Sequence, residues 1–315
     1  MEADVVGVRD AETVDAEELT EAVATARGSQ WGYRVTHPKG VLLTGTFTAS
    51  PPARELTRAV HMQGEPVRVT VRFSNGASNP INHDAAVGDA RGMAVKFYLP
   101  DGSTTNLLCQ AWPAFPSRTP AEFLELMQAQ IAGPAKIEEF LAAHPAYVPI
   151  LQAIDSVPPP RSWATIAFNS LNAFKLVNAH GDQRYVRWRL APEAGEHALP
   201  ESERGNADHD YLMTGIFEWL PVRFRLLAQL AEDGDPVDDC TVAFPAHRRW
   251  VDTGVVELTG PDLERERNGD LLVNDPMRLT DGIEPSDDPI LHIRPYVYAE
   301  SVRRRTGAEP SAHLR

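Results

Sequence analysis

The chain has 315 residues, of which 43% are hydrophobic and 23% are charged, enough apolar sequence for one large core or at most two domains. This composition excludes a wholly disordered chain. The formal net charge of -14 and the isoelectric point of about 5.2 argue against non-specific binding to nucleic acid or anionic lipid. An acidic surface suits a soluble protein that acts on a small neutral substrate.

The cysteines and the amino-terminal sequence indicate in which cellular compartment the protein is expected. Cys109 and Cys240 are the only cysteines and form no CxxC pair, which argues against a zinc or iron–sulfur site built on thiolates. Two thiols in a reducing cytosol are expected, with a single disulfide as the open alternative. Residues 1–23 lack the pattern of a secretory signal, and no apolar run approaches the roughly 18 residues of a membrane span. We therefore expect a cytoplasmic protein without a membrane partner.

The first predicted element is an amphipathic helix over residues 11–27, which Thr13 or Asp15 would cap. Residues 40–50 and 66–74 are predicted strands, because β-branched and aromatic residues are frequent in both. Within 66–74, apolar residues alternate with polar ones, which is typical of a strand with one buried face.

The later elements include another strand pair and several helical regions. Residues 91–99 and 104–109 are predicted to form a hairpin, and residues 120–131 a helix. The remaining predictions are a helical region at 135–154 interrupted near Pro145 and Pro149, two strands within 173–191, a helical region at 210–231 broken at Pro221, strand-like pieces within 237–259, and a final helix over about 290–305. This order favours an antiparallel sheet or barrel with helices outside it over a βαβ repeat.

Two segments near the start of the chain carry candidate site residues. Arg34 precedes His37 by three positions at a strand entry, which can place a guanidinium and an imidazole in one cavity; a basic surface loop is the alternative. Arg72 and Ser74 lie on the strand face opposite to Phe73. If Phe73 packs outside, Arg72 and Ser74 point into the barrel, where a buried arginine needs an anion. A polar strand face in solvent is the alternative.

The final helix carries a third set of candidates. Arg294 and Tyr298 are four residues apart and so lie one above the other on a helix face. A neighbouring guanidinium favours the phenolate, and a tyrosinate is a hard anionic ligand for ferric haem iron. Arg305 follows two turns later on the same face, within reach of a haem propionate. The alternative is an aromatic residue packed in an amphipathic helix with a basic solvent side.

In order and in spacing, these segments resemble the signature sequences of the catalase family. The resemblance covers about residues 31–305, and five collinear signatures make coincidence negligible. The matching segments are Arg34-x-x-His37-x-Lys39-Gly40; Val71-Arg72-Phe73-Ser74; Asp89-x-Arg91-Gly92-x-Ala94-Val95-Lys96-Phe97-Tyr98; Asn172-Ala173-Phe174-Lys175-Leu176-Val177-Asn178-Ala179-x-Gly181; and a proximal motif that joins Asp275-Pro276 and Gly282-Ile283-Glu284-Pro285-Ser286 to Arg294-x-x-x-Tyr298.

The resemblance implies an α+β fold, namely an antiparallel eight-stranded β-barrel of catalase type surrounded by helices, with a buried haem b. It implies an N-terminal helical arm over residues 1–30 and a haem-binding domain over residues 31–310. His37 would be the distal acid–base residue and Tyr298 the iron ligand. The other implied contacts are Arg34, Arg72 and Arg305 with the propionates, Arg294 with Tyr298, Ser74 with His37, and Phe123 in the distal pocket.

Two residues depart from the family's pattern beside the distal histidine. Gln110 stands where the family usually has an asparagine, and Thr36 stands where it usually has a valine. Both are therefore candidate catalytic residues. The chain is also much shorter than a full catalase, so we expect neither a C-terminal flavodoxin-like or helical module nor most of the usual NADPH site.

The predicted function is that of a haem peroxidase that reduces hydrogen peroxide or an organic hydroperoxide with a small organic electron donor. Dismutation of hydrogen peroxide is expected to be weak. No nucleic-acid partner is expected, and a homodimer is compatible with the sequence. The alternatives are an isomerase or dehydratase of fatty-acid hydroperoxides, resembling allene oxide synthases, and a haem-binding protein without activity. The last is disfavoured because binding alone does not require His37.

Overall fold

A computed structural model of the protein describes residues 14–268 and 270–307, which form a β-barrel with helices on its outside. The helices are α1 (Ala16–Arg27), α2 (Ala53–Leu56), α3 (Pro120–Ala132), α4 (Pro134–Ala143), α5 (Val148–Asp155), α6 (Glu201–Arg204), α7 (Tyr211–Gly215) and α8 (Pro289–Thr306). The strands are β1 (Gly40–Ala49), β2 (Val67–Ser74), β3 (Gly92–Tyr98), β4 (Thr104–Gln110), β5 (Phe168–Asn169), β6 (Phe174–Val177), β7 (Gln183–Pro192), β8 (Val222–Leu230), β9 (Trp250–Pro261) and β10 (Ile283–Pro285).

Eight of these strands close into an antiparallel barrel. Their order around it is β1, β2, β3, β4, β5, β7, β8 and β9, and β9 pairs with β1 to complete the ring. The other two strands extend the wall, because β6 pairs with β7 beside β5, and β10 pairs with β6. The predicted eight-stranded antiparallel barrel with surrounding helices is confirmed.

The inside of the barrel is filled by apolar side chains, including an aromatic cluster around Phe73 of β2. The ring of Phe73 is fully buried and lies 5.6 Å from that of Trp163 and 5.8 Å from that of Phe224. Arg72 and Ser74, on the opposite face of β2, therefore point out of the barrel. The condition that Phe73 packs outside is therefore not met, because a barrel of this size is a packed core that favours the aromatic ring over the guanidinium.

A second hydrophobic core lies outside the barrel, between α1, α3, α4 and α8. Leu19 of α1 and Met127 of α3 are buried in it. The carboxylate of Asp15 caps α1 by accepting a hydrogen bond from the amide of Glu17 at 2.8 Å. Thr13, the other predicted cap, and the predicted helix start at residue 11 lie outside the described residues. The predicted domain boundary at residue 30 stays a prediction.

The predicted helical region over residues 210–231 is helical only in its first half. After α7 and one 3-10 turn the chain enters β8, in which the buried Val222 and Phe224 alternate with exposed arginines. This period of two outweighs the helical propensity of the leucines, because β8 pairs on both edges, with β7 and with β9. In the region predicted to hold strand-like pieces, β9 forms and the described residues 237–249 contain no strand.

Two other expectations bear on the cysteines and on membranes. Cys109 and Cys240 are free and buried, so the alternative of a disulfide between them is wrong. Across residues 14–268 and 270–307, no helix has the length and apolar composition that a bilayer span requires.

His61 is a buried ionisable residue inside the barrel. Its ring lies 4.9 Å from that of Phe97 and 6.1 Å from that of Phe47, and its Nδ1 has no hydrogen-bond partner in the part of the chain that the structure describes. Burial lowers the pKa of His61 to about 4. The folded protein therefore keeps this imidazole neutral, while the unfolded chain protonates it below about pH 6.5.

We expect the free energy of unfolding to decrease as the pH falls from about 7 to about 5, by about 2 kcal/mol from His61 alone. The sign follows because the unfolded chain binds more protons than the folded chain in this window. Urea unfolding at both pH values should show a flatter dependence for His61→Met. His180→Gln, on an exposed hairpin turn, is the control and should keep the wild-type slope. An unchanged slope in His61→Met would assign the effect to other groups.

Candidate active site

A cavity lies between the outer face of β2, β3 and β4 and the helices α1 and α8. All but one of the site residues predicted from the sequence line this cavity. Those that line it are Arg34, Thr36, His37, Arg72, Ser74, Gln110, Arg294, Tyr298 and Arg305. The exception, Phe123 of α3, lines an adjoining cavity that shares His37 and Tyr298 with the first. The structure thus gathers the predicted residues outside the barrel wall.

The strand register places three residues of the cavity in one row. Ser74 of β2 lies opposite Gly92 of β3, which in turn lies opposite Gln110 of β4. A Cβ at Gly92 would lie 3.1 Å from Cε1 of His37, so this glycine gives the imidazole room to lie over β3. Oε1 of Gln110 is buried without a hydrogen-bond partner in the described residues. The row therefore presents a free polar atom near the imidazole.

His37 is held in place by the first residues of the barrel wall. Its backbone φ of 57° is left-handed, which costs a non-glycine residue roughly 1–3 kcal/mol. Oγ of Ser74 lies 3.1 Å from its Nδ1, and Nη2 of Arg72 donates to its carbonyl oxygen at 2.8 Å. Because Nδ1 faces Ser74, Nε2 is the ring nitrogen left for a substrate.

The electrostatic environment keeps His37 neutral. Burial lowers the pKa of His37 to about 3, and the positive charges of Arg72, Arg294 and Arg34 add to the decrease. A neutral imidazole near a substrate is able to accept a proton at neutral pH. The geometry and the charge of His37 both suit a general base.

Tyr298 and Arg294 lie one turn apart on α8 and are in contact. Arg294 donates to the phenol oxygen from Nε at 3.1 Å and from Nη2 at 2.7 Å. Two charge-assisted donors from one guanidinium are a setting in which an anionic oxygen is stabilised. The phenol oxygen of Tyr298 is therefore held in position by Arg294.

The residues that hold Arg294 were not among the predicted site residues. Nη1 of Arg294 donates to Oδ1 of Asn172 at 2.9 Å, and Nδ2 of Asn172 donates to Oδ2 of Asp288 at 2.8 Å. Asp288 in turn caps α8 by accepting from the amide of Ile290 at 2.9 Å. Their positions in the sequence could have identified them. Asn172 is the first residue of the central hairpin motif, and Asp288 directly precedes the proline that starts α8.

Three arginines form a cluster in the cavity. Arg34 makes a two-pronged ion pair with Glu266, whose carboxylate also lies 3.4 Å from Nη1 of Arg305. Arg72 instead donates to the carbonyl oxygens of His37 and Pro38. Burial, followed by the charge of Arg34, lowers the pKa of Arg72 to about 9 and that of Arg305 to about 10. Among the described residues, Glu266 is the carboxylate that pairs with this cluster, so two of its three positive charges have no carboxylate partner there.

Comparison with known proteins identifies the family. A sequence model described as Catalase matches residues 3–221. The chain belongs to the catalase family. The matched range ends before α8, so it includes His37, Arg72 and Gln110 but not Tyr298.

Relatives within the catalase family are similar over nearly the whole chain. A catalase-related peroxidase of Mycolicibacterium paratuberculosis is 41% identical over 305 residues, which are 94% of this chain and 96% of that protein. A catalase-related peroxidase of Synechococcus elongatus is 30% identical, with 93% and 89% covered. A fungal catalase crystal structure superposes with a TM-score of 0.76 at 21% identity, covering 100% of this chain and 68% of that one. The last comparison supports the fold.

The catalase family carries haem, and the residues of the cavity fit this group. The two uncompensated positive charges of the arginine cluster match the two carboxylates of a haem. The phenol oxygen of Tyr298, which accepts two hydrogen bonds from Arg294, is a suitable ligand for ferric iron. Gln110 and Arg305, which also line the cavity, each have a buried polar atom, Oε1 and Nε, without a hydrogen-bond partner among the described residues.

Proposed function

We propose that the protein is a haem b peroxidase that reduces hydrogen peroxide or an organic hydroperoxide with electrons from a small organic donor. The observation that carries the proposal is one cavity lined by the His37–Ser74 pair from the barrel and the Tyr298–Arg294 pair from α8. The two relatives named catalase-related peroxidase support the same activity.

The chain's own residues have distinct roles in this proposal. Arg34, Arg72 and Arg305 would bind the propionates, and Tyr298 would bind the iron through the phenol oxygen that Arg294 holds in position. When bound, the haem supplies the redox chemistry that cleaves the peroxide O–O bond. Ser74 orients the imidazole of His37. Neutral His37 would accept the proton from one peroxide oxygen and return it to the other. With two electrons and two protons from the organic donor, hydrogen peroxide would be reduced to two water molecules.

The alternatives are less well supported. A fatty-acid hydroperoxide isomerase or dehydratase, or a haem protein without activity, does not match the two similar proteins, which are both catalase-related peroxidases. The neutral, oriented His37 is also a feature that haem binding alone does not require. The organic donor, the homodimer and the cytoplasmic location stay predictions.

Gln110 and Thr36 lead us to propose that dismutation is weak. Reaction with the first peroxide needs a proton acceptor, whereas release of oxygen needs a second peroxide in a defined position. The Gln110 amide is one methylene longer than an asparagine amide, and the Thr36 hydroxyl lines the same cavity. Misplacement of a reactant by about 1 Å can cost roughly 10²-fold in rate.

The test compares oxygen release with oxidation of a phenolic donor at the same peroxide concentration. Wild type should oxidise the donor efficiently and release little oxygen. We expect Gln110→Asn and Thr36→Val to raise oxygen release by about tenfold or more while donor oxidation changes little. Rapid oxygen release by wild type, or no gain in either variant, would contradict weak dismutation; failure of wild type to oxidise any donor would contradict the peroxidase activity.

A further inference from the structure

Glu266 contacts the arginine cluster although it belongs to no motif of the sequence. Its carboxylate pairs with both Arg34 and Arg305. The Glu266 side chain is 28% exposed, whereas the side chains of Arg34 and Arg305 are 19% and 12% exposed. Glu266 therefore lies on the solvent side of two arginines whose other side lines the cavity.

The backbone around Glu266 is arranged for this contact. Its φ of 57° is left-handed, which is uncommon and costly for a residue with a side chain. The carboxylate of Asp270 holds the turn by accepting from the amide of Glu266 at 3.1 Å and from Nη1 of Arg265 at 3.0 Å. A strained residue in a turn tied at two points distinguishes this contact from an ordinary surface ion pair.

We infer that Glu266 is an internal counter-ion of the propionate site, which stabilises the arginine cluster and competes with the propionates for Arg34 and Arg305. The inference rests on the haem of the proposed function. Without Glu266, three buried or half-buried guanidinium groups would repel one another, as the lowered pKa values of Arg72 and Arg305 indicate. With haem bound, however, the Glu266 carboxylate and the propionates share the same guanidinium groups and repel one another.

The stabilisation of the arginine cluster by Glu266 and its competition with the propionates are thermodynamically linked. Removal of the Glu266 charge destabilises the chain without haem more than the chain with haem. Since folding and binding are coupled, the folded variant must then retain haem more tightly. Glu266 is thus a positioning residue that prepares the arginines for the cofactor and limits how strongly they hold it.

The experiment uses the full chain reconstituted either with haem b or with haem dimethyl ester, in which the propionates are uncharged. Haem loss is followed by transfer to excess apomyoglobin, and melting temperatures are measured for the haem-free chain. For Glu266→Gln we expect loss of haem b about tenfold slower than from wild type. Loss of the dimethyl ester should be unchanged, and the haem-free variant should melt at a lower temperature.

Glu264→Gln is the matched control, because it removes the same charge from an exposed residue in the same segment. It should behave as wild type with both cofactors. Equal loss of haem b from wild type and Glu266→Gln, or equal slowing for haem b and its dimethyl ester, would overturn the inference. If wild type bound no haem at all, the proposed function would fail and this inference with it.

Discussion

Replacement of Tyr298 with phenylalanine is expected to remove most of the bound haem. The change deletes the proposed iron ligand and leaves the Nε and Nη2 donors of Arg294 without their acceptor. Loss of a residue that only supports a metal ligand typically costs about 10–100-fold in metal affinity, and loss of the ligand itself should exceed this range. Haem content per chain and the absorption spectrum of the purified variant measure the effect.

The control for Tyr298 is a second tyrosine in the same helix. Tyr296 is 63% exposed, so Tyr296→Phe makes the same chemical change away from the cavity and should keep wild-type haem content. Circular dichroism should show that both variants are folded. If Tyr298→Phe keeps a full complement of haem with the wild-type spectrum, another group binds the iron, and the assignment of α8 as the proximal helix fails.

Local patterns in the sequence were sufficient to predict most strands of the barrel. The alternation in β2 and the hairpin of β3 and β4 are encoded in neighbouring residues, so they were predicted within a residue or two. β8 was not predicted as a strand, because its leucines and alanine also suit a helix. Its partners β7 and β9 decide the structure, and β9 lies more than 20 residues later in the chain.

The candidate site shows the same division between local and long-range information. The spacing of Arg294 and Tyr298 on one helix predicted their contact, since helix geometry places residues four apart on one face. The direction of Arg72 could be stated only as a condition on Phe73, because alternation separates two strand faces without saying which one faces the barrel interior. Glu266 had no signal, since 232 residues separate it from Arg34 and only the folded chain brings them together.

The position of the site also explains how one fold combines rigidity with chemistry. The barrel interior is packed with Phe73 and its aromatic neighbours. The opposite face of the same strand carries Arg72 and Ser74 into the cavity. A strand that is anchored by a packed core on one side can hold polar groups on its other side with little freedom to move.

Replacement of His37 with alanine is expected to slow the reaction with hydrogen peroxide by roughly 10²–10⁴-fold while haem stays bound. The variant retains Tyr298 and the arginine cluster but loses the group that accepts and returns the proton. The rate of the absorption change after rapid mixing with peroxide measures the effect. Added imidazole should restore part of the rate, because the cavity left by the side chain is able to hold it.

The pH dependence separates His37 from other bases. Its pKa is lowered to about 3, with burial as the largest cause, so its neutral form prevails at every pH above about 5. If anions paired with the arginines, the smaller contributions of the arginine charges to the lowered pKa of His37 would disappear. Burial would still lower this pKa. Wild type should therefore react at a constant rate from about pH 5 to 8, and His180→Ala, at an exposed turn, should behave identically. A rate that falls tenfold per unit below about pH 6.5, or wild-type speed in His37→Ala, would mean that His37 is not the neutral base.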